Sequence, residues 1–81
     1  MGAVTIPQAF DRVLREFRTK SGLSQEQLAL NAGMDRTYIS LLERGLRQPT
    51  LSTLFRLARI LDVAPANMVA RTAAMTWRGC M

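Results

Sequence analysis

Gly33 separates two short amphipathic segments, and that arrangement limits the fold more than any other feature of the chain. Ser24 is a good helix N-cap, and Gln27 three residues later completes a capping box. The helix it opens runs from about Gln25 to Asn31, with Leu28, Ala29 and Ala32 on its inner face. Asp35 then caps a further helix, Arg36 to Arg44, which Gly45 stops. Two short helices meeting at a steep angle need a small residue at the crossing, which Ala29 supplies. The turn between them needs a residue tolerant of positive φ, which Gly33 supplies. At about 100° per residue, Arg36, Ser40, Arg44 and Thr37 share one sector of the second helix. Ile39 and Leu42 lie opposite, and Tyr38 and Leu41 flank the polar sector.

The rest of the chain reads as helix on both sides of this pair. From about Pro7 to Lys20, Phe10, Val13, Leu14 and Phe17 repeat at the spacing of one apolar stripe. Ser21-Gly22 ends that segment, with Gly22 suited to a left-handed stop. Thr50 caps a segment reaching about Asp62, in which Leu51, Leu54, Leu57, Ala58 and Leu61 are expected to face inward. Pro65 suits the first turn of a last helix, predicted to end near Thr72. No segment alternates with the period of a strand. The reading is all-α: one compact five-helix domain over residues 1–81, with the helix pair at about 24–45 and residues 73–81 either flexible or engaged in a dimer. The hydrophobic share of 48% and the charged share of 21% fit a folded globule. A core this small is marginal, and pairing with a second copy would relieve it.

Lys and Arg number 11 against 6 Asp and Glu, a net charge of +5, and ten of the eleven cations are arginine. A positive field attracts polyanions, and the planar guanidinium fork matches phosphate and guanine edges. The bland alternative is a solvated basic surface, which is the reading for Arg56, Arg59 and Arg71. There is no histidine, and the single cysteine, Cys80, has no intrachain partner. A zinc site would lack its usual ligands, and neither metal nor cofactor is expected. A thiol without a partner suits a reducing cytoplasm. No apolar run reaches membrane-spanning length, and the N-terminus lacks the apolar stretch of a signal peptide. Glu43 has no nearby His, Cys or second carboxylate in this reading, so an enzyme is not expected.

Gly22-Leu23-Ser24-Gln25, Leu28-Ala29, Gly33, Ile39, Leu42-Glu43-Arg44-Gly45, Pro49-Thr50-Leu51, Thr53-Leu54 and Leu57-Ala58 together resemble the helix-turn-helix family of the phage repressors, Cro and the Xre-type bacterial regulators. The likeness spans roughly Phe10 to Met68. Within it, Asp35-Arg36-Thr37-Tyr38-Ile39-Ser40 is similar to the small controller proteins of restriction-modification systems. The resemblance implies a lambda-repressor-like domain. It would bind double-stranded DNA sequence-specifically and regulate transcription as a homodimer on a palindromic operator. It places Arg36, Thr37 and Ser40 at base edges, Gln25 at a backbone phosphate, and Arg47 and Gln48 along the DNA backbone. It also implies a structural ion pair between Arg18 and Glu43.

The residues add their own reading. An arginine at Arg36 can hold guanine O6 and N7 through two parallel hydrogen bonds. Thr37 and Ser40 touch DNA or are ordinary surface polarity. Tyr38 reaches a backbone phosphate or a base, or packs on the domain edge. Arg44 and Arg47 are phosphate clamps or solvated charges near a helix end. Gln25 is a contact or is solvated. Leu41 departs from the family, where a polar or small residue is common; it meets a thymine methyl or shields the helix junction. Met68, Val69, Met75 and Trp77 come after a complete four-helix core; they are local core or dimer surface, and part of them is expected at a dimer interface. The rival function is a protein-interaction module, such as an antitoxin-like partner or adaptor, working through the apolar surface and never reading bases.

Overall fold

The computed structural model describes residues 4–76, which form five helices in chain order: α1 Ile6–Lys20, α2 Gln25–Ala32, α3 Arg36–Glu43, α4 Leu51–Leu61 and α5 Pro65–Thr76. There are no strands among the described residues.

The helix starts follow from side-chain caps. Thr5, Ser24 and Thr50 each accept a hydrogen bond from the backbone N–H three residues on, and Asp35 accepts from Thr37 N–H. At α1 and α2 the box is closed: Gln8 and Gln27 reach back to the N–H of Thr5 and Ser24. The first four helices also end alike. A residue in the left-handed region follows each: Gly22, Gly33, Gly45 and Asp62. In each case the next residue donates back to the carbonyl five positions earlier, as Leu46 N–H does to Leu41 O at 3.0 Å. This is a Schellman stop, which turns the chain sharply while satisfying carbonyls that the helix leaves free.

Gly33, between α2 and α3, has φ +70 and no neighbour within 4 Å of the position a Cβ would take. Gly33→Ala is therefore expected to lose stability through backbone strain alone, about 1–2 kcal/mol. Gly33→Asn should lose less, since asparagine tolerates the left-handed region. Thermal melts of the two variants check this order.

The core draws on every helix: Phe10, Val13 and Leu14 from α1, Leu28, Ala29 and Ala32 from α2, Ile39 and Leu42 from α3, Leu54, Leu57, Ala58 and Leu61 from α4, and Met68 from α5. α5 packs along α1. This corrects two expectations. The last helix does not end near Thr72 but runs to Thr76, inside the segment read as flexible or dimer-bound. Met68 is not a surface residue: it is 0% exposed and completes the core. Four short helices leave one side of α1 uncovered, and an unbranched methionine fills the gap. Met75 is partly buried against the same core, Val69 stands half-exposed, and Trp77 and Cys80 lie outside the described residues.

Leu51 is also placed differently. It does not face inward but is 72% exposed, and with Ile6 and Val69 it lines an open apolar groove of about 360 Å³ between α1, α4 and α5. Periodicity fixes which face of a helix is apolar; it does not say how far along the helix its neighbours extend. Finally, Arg71 is no free member of a basic face. It pairs with Glu16 and lies 5.6 Å from the centre of the Phe17 ring, tying α5 to α1.

Candidate nucleic-acid interface

α3 is held from inside and bare outside. Ile39 and Leu42 are fully buried, and Tyr38 packs its ring against the core at the edge of the helix. On the outer side Arg36, Thr37 and Arg44 are exposed, and Ser40 and Leu41 are partly so. Asp35, exposed at the start of the helix, is occupied as its cap. Beyond the Gly45 turn, Arg47 and Gln48 are exposed on the connection to α4. One side of a short rod thus carries two arginines and two hydroxyls facing solvent. Hydrogen-bonding groups on a rod of this width suit the major groove of B-form DNA.

The anchor of that rod is Glu43, its last residue, which is 1% exposed. Arg18 of α1 grips the carboxylate with both ends of its fork, Nε to Oε2 at 2.5 Å and Nη2 to Oε1 at 2.9 Å. Gln25, the first residue of α2, donates from Nε2 to Oε1 at 3.1 Å. Arg18 also donates from Nη1 to the carbonyl of Leu23 at 2.9 Å. A single carboxylate therefore ties α1, α2 and α3 together. The arrangement is electrostatically sound. The negative end of a helix dipole disfavours a carboxylate there, and the hydrogen-bonded guanidinium of Arg18, with the amide of Gln25, offsets both that repulsion and the loss of water.

Two features of this network escape a reading of the sequence. Gln25 is half-buried and already bonded to Glu43, so it is neither simply solvated nor wholly free for a phosphate. One hydrogen of its amide nitrogen is engaged and the second remains. Arg15 of α1 donates from Nη2 to the Glu43 carbonyl at 2.5 Å. Its partner stands 28 residues away in sequence, and no periodic or capping signal links the two.

No helix of the described residues is long and apolar enough to cross a membrane. Among the described residues no group of three or more His, Cys, Asp or Glu is arranged to hold a metal ion.

A helix pair with a left-handed glycine between its members, a buried anchor beneath the second helix and a polar outer face define a helix-turn-helix. The helix-turn-helix family HTH_3 matches residues 14–66, and the chain belongs to it. It is a transcriptional regulator with a helix-turn-helix DNA-binding fold of the Xre type. Control protein C.SmaI of Serratia marcescens is 41% identical over 66 residues, 82% of this chain and 79% of that protein. The crystal structure of the restriction-modification controller protein C.AhdI of Aeromonas hydrophila is 45% identical, with TM-score 0.72, over 74% of this chain and 91% of that one. SinR, a master regulator of biofilm formation solved in complex with DNA, is 28% identical with TM-score 0.71, over 74% of this chain and 97% of that one.

Proposed function

We propose that the protein reads a palindromic operator as a homodimer, each copy laying α3 in a major groove. The observation that carries this is the polar outer face of α3, with Arg36 and Thr37 exposed at its N-terminal turn while Glu43 is locked inside. In this reading Arg36, Thr37 and Ser40 meet base edges and set specificity. Arg44, Arg47 and Gln48, with the Tyr38 hydroxyl and the second amide hydrogen of Gln25, contact the backbone and set affinity and register. The likeness to SinR, which was solved in complex with DNA, supports DNA as the ligand.

A second copy is proposed to cover the groove lined by Ile6, Leu51 and Val69. Those three large apolar side chains are each about half exposed or more on one face. A two-fold interface uses the same patch twice, so one substitution acts twice. Leu51→Glu, which puts an unpartnered carboxylate there, is expected to turn dimers into monomers in sedimentation equilibrium. Wild-type dimers that persist in Leu51→Glu and Val69→Glu would move the interface elsewhere.

Selection of bound duplexes from a random pool tests the function. The expected consensus has two inverted half-sites about 10 base pairs apart, centre to centre. Binding should weaken steeply with salt, as phosphate contacts require. The apolar groove also suits the rival reading of a protein-interaction module. Unselective DNA binding beside a tight protein partner would favour that module.

A further inference from the structure

The turn after α3 satisfies three of the carbonyls that the helix end leaves free. Arg44 N–H donates to Ser40 O, Gly45 N–H to Leu42 O, and Leu46 N–H to Leu41 O. The fourth, Glu43 O, accepts from Arg15 Nη2 at 2.5 Å, and the same guanidinium places Nε 3.9 Å from Glu43 Oε1. Arg15 thus holds the backbone of the residue whose carboxylate Arg18 holds. Its side chain is 55% exposed, so burial does not force it into this position. An exposed arginine fixed this way gives up rotamer freedom, which the hydrogen bond and the nearby negative helix end offset.

We propose that Arg15 is a positioning residue for base reading: it clamps the C-terminal end of α3 and so sets the tilt at which Arg36, Thr37 and Ser40 meet DNA. This rests on the DNA-reading function proposed above. The lever is simple. α3 has eight residues and is about 12 Å long, so a tilt of about 10° displaces its far end by about 2 Å. A binding constellation must be held within about 0.5 Å and 10–20°. Arg18 and Gln25 fix the Glu43 carboxylate. Arg15 fixes the main chain, to which the readers are attached.

The test uses the full chain, the consensus selected by the wild type, and single-base variants of that consensus. Arg15→Ala is expected to reduce discrimination between consensus and variants about fivefold or more. Affinity for unrelated duplex should stay within about twofold, with the salt dependence unchanged. Without DNA, amide exchange at Leu42–Gly45 should accelerate more than any drop in global stability requires. Arg15→Lys, which keeps a donor and the charge, should recover part of the discrimination. Equal weakening on all sequences with a shallower salt slope would make Arg15 a phosphate contact and overturn the proposal. A lowered melting temperature with unchanged discrimination would overturn it too, leaving a purely structural bond. If the wild type selects no consensus, base reading itself fails and the proposal falls with it; accelerated exchange would then identify the clamp as structural only.

Discussion

Arg18→Met is expected to destabilise the protein by about 3–5 kcal/mol, read as a shift of the urea midpoint at unchanged slope. The loss comes from Glu43, whose carboxylate is 1% exposed and takes two of its hydrogen bonds from Arg18. Methionine matches the stem of arginine but returns neither charge nor donors. Gln25 and Arg15 remain, which favours the lower end of the range. Even that end is a large part of the 5–15 kcal/mol typical of a folded domain. The penalty measures a charge left buried and unpaired, not the net worth of the pair. Adding Glu43→Leu to Arg18→Met should therefore restore most of the lost stability. A single variant as stable as wild type would mean that water reaches Glu43 and that the carboxylate is not the anchor of α3.

Arg36→Ala is expected to act in the opposite pattern, on binding with little change in folding. Arg36 is exposed on the outer face of α3, and neither the core nor the Glu43 network uses it. A guanidinium holding guanine O6 and N7 contributes about 1–3 kcal/mol of discrimination, so operator binding should weaken roughly five- to 150-fold. The loss should concentrate at one base pair of each half-site, where the variant no longer prefers guanine. Arg44→Ala and Arg47→Ala, proposed phosphate contacts, should instead weaken all sequences alike and flatten the salt dependence. Titration of the consensus and its single-base variants separates the two patterns. Equal discrimination by Arg36→Ala and wild type would remove Arg36 from base reading.

Much of the fold was legible because it is written in local chemistry. Thr50, Ser24 and Asp35 cap the helices they precede, and Gly22, Gly33 and Gly45 take the left-handed stops read for them. These devices act within one turn, so spacing alone reveals them. What failed to show was decided by packing between distant segments. Met68 looked spare because the stripes of the first four helices already made a plausible core, yet α5 lies along α1 and Met68 closes it. Leu51 fits its stripe by period but sits in the first turn of α4, at the mouth of a groove. Asp62 takes a left-handed stop without being glycine, a role no local rule demanded. The exposed face of α3 could be drawn from a helical wheel. The hydrogen bonds of Arg15 and Gln25 could not, because their partner lies 28 and 18 residues away.

Methylation interference on the selected consensus addresses most directly whether α3 reads bases from the major groove. Dimethyl sulfate marks guanine N7 in the major groove and adenine N3 in the minor groove. With the wild type, a methyl on N7 of one guanine per half-site should block binding while adenine N3 methylation leaves it intact; with Arg36→Ala that guanine should lose its effect. Binding indifferent to N7 methylation but blocked at adenine N3 would contradict major-groove reading by the outer face of α3.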